Sequence, residues 1–133
     1  MRLVTTSALA LFLAAPAAFA QPLDCPEPAP VFSAAGAAPI DLDALSSEMA
    51  AADLGADDLD AVIKRIRTDY PSASDAEVAD IAITAFCRHV QTHFPADRRS
   101  EAPVAAFEAK VYDAVFGGAP PETYARQGWL YGN

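Results

Sequence analysis

The stretch "SDAEVADIAITAFCRHVQTHFP", residues 74–95, decides how this chain folds. Ser74 followed three positions later by Glu77 is a capping box, in which serine accepts from the N3 amide and glutamate reaches back to the N-cap amide. Pro95 supplies the stop, because it has no amide to continue the helical ladder. At about 100° per residue, the side chains between these two signals can be placed on a wheel. Glu77, Asp80, Thr84, Arg88 and Gln91 fall in one narrow polar arc. Most of the rest is apolar: Val78, Ala79, Ile81, Ala82, Ile83, Ala85, Phe86, Val90 and Phe94. A helix this apolar has to be covered on most sides, which makes it the central helix of its domain.

Three shorter helices are expected around it. Asp41 is an N-cap, and Ile40 and Leu45 have the spacing of a hydrophobic staple. Leu42, Leu45, Met49 and Ala52 then form a short apolar stripe that ends at Gly55. Asp57 is expected to cap the next helix, whose buried face is Leu59, Val62, Ile63 and Ile66. Its acids (Asp58, Asp60) come first and its cations (Lys64, Arg65, Arg67) last, an order that suits the helix dipole. "YPSAS" breaks it. The last helix follows Ser100, tolerates Pro103 in its first turn and carries Val104, Phe107, Val111, Ala114 and Val115 on one face, with Gly117-Gly118 as its end. Neither sustained alternation nor a tight hairpin turn occurs, so no strand is expected. The fold class is all-α, a small four-helix bundle-like domain.

The flanks read differently. Residues 1–20, "MRLVTTSALALFLAAPAAFA", have the charged start, apolar run and Ala18-Phe19-Ala20 ending of a signal peptide cleaved after Ala20. The apolar run is too short for a membrane span, which needs about 20 apolar residues. The chain is therefore expected to be periplasmic or secreted, with no membrane insertion after cleavage. Residues 21–40, "QPLDCPEPAPVFSAAGAAPI", hold five prolines and no periodicity, the composition of an extended arm. Cys25, and beyond it Val31 and Phe32, are the residues that could pin this arm. The helical domain spans 41–117, and 118–133 form an aromatic tail with Tyr124, Trp129, Leu130 and Tyr131.

Two cysteines in a chain bound for an oxidising compartment are expected to pair, Cys25 with Cys87. Cys87 lies between the apolar and polar arcs of the central helix, where an arm crossing the surface can reach it. Lipid attachment at Cys25 would require small residues before it, and Leu23 and Asp24 stand there instead.

The same helix carries "CRHVQTH", residues 87–93, a possible metal or haem site. Cys87 and His89 are about 200° apart on the wheel and cannot hold one ion together. His89 and His93 share a face, but a zinc site needs a third protein ligand, and the glutamate of H-E-x-x-H is missing. Haem attachment would want C-x-x-C-H. Metal binding by His89 and His93 stays a lesser alternative to two helix-end histidines favoured by the dipole. There is no nucleophile elbow, P-loop or Rossmann glycine pattern, and "DLGADDLD" lacks the order of a calcium loop. No cofactor is implied and no catalytic residue stands out. A formal charge of −9 repels phosphate backbones, which disfavours nucleic acid.

The segment "DYPSASDAEVADIAITAFC", residues 69–87, resembles one in small exported bacterial helical proteins of uncharacterised function, where a tyrosine-proline turn leads into a helix with a "TAYC"-like stretch. That resemblance implies an exported helical protein and transfers no activity or site residue. In plan alone (small, exported, helical, two cysteines) the chain is similar to periplasmic acid-stress chaperones. The reading this supports is a non-enzymatic exported protein that meets a protein partner in the cell envelope, with Tyr124, Trp129 and Tyr131 as contacts. A chaperone-like role at low pH is the alternative.

Overall fold

The structure, a computed structural model, describes residues 23–34, 36 and 38–118. Helices α1 (Leu42–Asp53), α2 (Leu59–Asp69), α3 (Asp75–His93) and α4 (Glu101–Phe116) follow in order, with 3-10 turns at Pro30–Ser33 and Ala96–Arg98. No strand occurs among the described residues, so the all-α expectation holds. The expected signal peptide and the aromatic tail from residue 119 onward lie outside the described residues.

Helix α3 forms where its caps place it. The Ser74 hydroxyl accepts from the Glu77 amide, and the Ser74 amide donates to Glu77 Oε2 at 2.8 Å, completing the capping box. Ten of its side chains are buried, from Val78 through Val90. It packs chiefly against α1 and α4, and to a lesser extent against α2. Phe86 stacks on Phe107 of α4 with ring centroids 4.1 Å apart. Met49 from α1, Ile63 and Ile66 from α2, and Val104 and Val111 from α4 complete the core around it. Each such side chain contributes about 1.5–3 kcal/mol when fully buried, which is why this helix organises the rest.

The surrounding helices have local reasons to start and stop where they do. Asp41 Oδ1 accepts from the amides of Asp43 and Ala44, both at 3.0 Å. Helix α2 is capped by Asp58 and not by the expected Asp57, since Asp58 Oδ1 accepts from the Asp60 amide. Both aspartates are chemically able caps; the backbone of Asp57 is still turning, with its amide bonded to the Ala51 carbonyl at 3.3 Å. Gly117 ends α4 in the left-handed region at φ 70°, a conformation that glycine adopts without steric cost. Surface ion pairs link the helices: Arg65 with Glu48, Arg67 with Asp75, Arg88 with Asp43, and Lys110 with Asp53.

The proline-rich arm departs from its expected character. Extended over part of its length, it nevertheless joins the core: Phe32 is 1 % exposed and Leu23 is buried. The 3-10 turn at Pro30–Ser33 starts with proline, whose fixed φ suits a first turn, and it swings Phe32 inward. There the Phe32 ring meets Tyr70 edge-on, at 5.2 Å between centroids. Phe32 was among the residues expected to pin the arm, whereas Leu23, one apolar residue between prolines and an acid, gives no periodicity to read.

Candidate functional site

The arm and α3 together make the most distinctive feature of the molecule. Cys25 is joined to Cys87 by a disulfide, with 5.8 Å between the α-carbons, within the usual range for a bridge. Cys87 is fully buried on α3, and no cysteine among the described residues is free. Two hydrogen bonds to the helical domain seat the arm further, and a third lies within the arm itself. Gln91 Nε2 donates to the Leu23 carbonyl at 2.9 Å, the Tyr70 hydroxyl donates to the Ala38 carbonyl at 2.8 Å, and the Ile40 amide donates to the Phe32 carbonyl at 3.0 Å. Burial, with a smaller push from Asp69, raises the Tyr70 phenol above its ordinary value, so it stays a hydroxyl and a donor.

This arm runs beside the polar arc of α3 at Thr84, Arg88 and Gln91. Thr84 is 2 % exposed, although its neighbours on that arc are charged or polar. Between the arm and the helix lies a cavity of about 270 Å³, lined by Asp24, Cys25, Glu27, Thr84, Arg88 and Gln91 among others. Sequence reasoning missed Thr84 as a site residue. The tether to Cys87 marks one point of contact, and only the arm's direction in the structure puts it beside Thr84 and Gln91, one turn away on the same face.

The histidines sit at the other edge of α3. His89 and His93 are stacked, with 4.6 Å between ring centroids. The His89 ring also lies near Phe86 and meets Phe94 edge-on. His89 Nδ1 is buried without a hydrogen-bond partner, while His93 Nδ1 is 2.7 Å from Thr92 Oγ1. Burial pushes the His89 imidazole below its ordinary value; His93 adds to the effect and Asp53 opposes it. The structure thus brings the pair together as the wheel predicts. Among the described residues, however, no group of three or more His, Cys, Asp or Glu is placed to hold a metal ion. Tyr124, Trp129 and Tyr131 lie outside the described residues.

Fold and site define a class: a small all-α domain whose N-terminal arm is tied by one disulfide to a buried central helix. No family model matches this chain, and no curated protein or solved structure matches it either. Among the described residues no helix is long and apolar enough to cross a membrane.

Proposed function

We propose that the chain acts after export as a non-enzymatic, disulfide-tethered interaction module, meeting a protein or envelope component through its C-terminal aromatic segment. The observation that carries this reading is the Cys25–Cys87 bridge, which suits an oxidising compartment and occupies both sulfurs. The distribution of apolar surface adds support. Among the described residues Leu54, at 85 % exposure, is the one large hydrophobic side chain standing in solvent. A single exposed leucine is ordinary and makes no docking patch. The sequence nonetheless supplies Tyr124, Trp129 and Tyr131 C-terminal to α4, residue types enriched among those that dominate contact energy at protein interfaces.

The test replaces Trp129 with a photo-crosslinking amino acid in the exported full chain. One discrete crosslinked species is expected, and it should disappear when unlabelled full chain competes but persist against a chain ending at Gly118. A label that yields no discrete product, or one displaced equally by the shortened chain, contradicts the proposal. Export is checked separately by the mature N-terminus, expected at Gln21.

A further inference from the structure

The last turn of α3 closes over a ring that cannot take a proton where it stands. His89 is bracketed along the helix by Phe86 and His93, with ring centroids 6.3 and 4.6 Å away. Phe94 meets it edge-on at 5.9 Å. Inside this packing His89 Nδ1 is buried without a hydrogen-bond partner. A neutral imidazole can leave that nitrogen as a bare acceptor. An imidazolium carries N–H on both nitrogens, so the cation places a donor at Nδ1 with nothing to accept from it. Burying an unpaired charged donor costs far more than burying a bare acceptor.

His93 is arranged differently. Its Nδ1 lies 2.7 Å from Thr92 Oγ1, and that hydroxyl donates to the Arg88 carbonyl at 2.8 Å. With its hydrogen so used, Thr92 Oγ1 accepts from His93 Nδ1–H, and the exposed His93 ring can charge in place. Once charged, it sets a cation against His89, and like charges so close disfavour a second proton. Asp53 at the end of α1 acts on His89 with the opposite sign, but Lys110 of α4 already holds its Oδ1 at 2.6 Å. Arg99, in the connection after α3, donates to the Phe94 carbonyl at 2.7 Å and brings no acceptor. Water is therefore the acceptor that a charged His89 must reach.

Moving the last turn is the least costly way to let water in. His93 and Phe94 cover His89 from the C-terminal side, and Thr92 and His93 are exposed. Helix ends open more readily than helix middles, because their final carbonyls lack helical partners. Pro95 prevents the helix from continuing past this point. The Phe94 ring packs against the core only in part, and its amide bonds to the Val90 carbonyl at 3.2 Å.

We propose that His89 and His93 form a proton-operated latch: on acidification, protonation of His89 separates the stacked rings and releases the last turn of α3, taking Phe94 off the core. The closed form is favoured above about pH 6.5, where a free imidazole is neutral, and weakens as pH falls. Burial, which holds the His89 imidazole below its ordinary value, acts in the same direction. The latch is separate from the C-terminal contact proposed above and does not rest on it.

The experiment is amide hydrogen exchange of the full chain, bridge intact, read by NMR at about pH 7.5 and about pH 5 and expressed relative to the intrinsic rate at each pH. Protection of the His93 and Phe94 amides is expected to fall about tenfold or more at the lower pH, while residues 81–86 stay level. His89→Phe keeps a ring in the stack but cannot take the proton, so its Phe94 protection should not change with pH. Should that variant fail to fold, His89→Gln is read instead, with lower protection expected at both pH values and no pH dependence. Equal Phe94 protection at both pH values in the native chain overturns the proposal. So does the same fall in His89→Phe or His89→Gln. A uniform fall along α3 also overturns it, since the whole domain would then be opening with no latch.

Discussion

His89 shows how one side chain can set a pH response. Its imidazole is held below the ordinary value mainly by burial, then by His93, with Asp53 acting in the opposite direction. In the unfolded chain it titrates near ~6.5, so just below that pH the unfolded state binds the proton more readily than the folded one. The contribution from this group is therefore complete above about pH 6.5 and is lost as pH falls toward its lower folded value. Thermal melts from about pH 7.5 to about 5 should show a steeper loss for the native chain than for His89→Gln. Parallel curves would show that the ring is not desolvated as described. Tyr70 makes a second single-residue case. Tyr70→Phe keeps the ring against Phe32 but loses the bond to the Ala38 carbonyl, and should cost about 0.5–1.5 kcal/mol in denaturant unfolding.

At the scale of elements, α3 is the piece on which the others depend, and its start is the most sharply encoded point in the chain. Ser74→Ala removes one half of the capping box and should cost about 1 kcal/mol, read as a shift in the unfolding midpoint with unchanged slope. The arm has the opposite character: its sequence is irregular, yet Phe32 is as deeply buried as most side chains of α3. Phe32→Ala should cost about 3–5 kcal/mol, a core-sized loss from a segment with no helical pattern. A cost below about 1 kcal/mol would mean that the arm is not part of the core.

This contrast explains what could be read in advance. The helices were legible because caps such as Asp41 and Ser74 and the apolar period of α3 are local signals. The cap of α2 was misplaced by one residue because Asp57 and Asp58 carry the same chemistry, and the turn before them decides. Phe32 was legible as a residue able to pin the arm, but the burial of Leu23 and Thr84 was not, since it follows from where a non-periodic segment docks. The pairing of Cys25 with Cys87 and the apolar Val31 and Phe32 were the clues to that docking, and its consequence for Thr84 emerges only with the arm in place.

For the molecule as a whole, the bridge closes a loop of 62 residues, which in the chain-entropy view stabilises the fold by roughly 4 kcal/mol. Net stability for a domain of this size is typically about 5–15 kcal/mol, so that share is large. The tether holds Leu23 and Phe32 on the core and sets the gap over Thr84. Replacing both cysteines by serine should lower stability by up to about 4 kcal/mol and also open that gap. The most direct test is intact-mass measurement of the protein isolated from its native host, after alkylation under denaturing conditions, with and without reductant. Without reductant no alkylation should occur, and digestion should give one peptide pair joined through Cys25 and Cys87; with reductant two alkyl groups should add. Alkylation of both thiols in the unreduced protein, or a lipid on Cys25, would contradict the tethered-arm account.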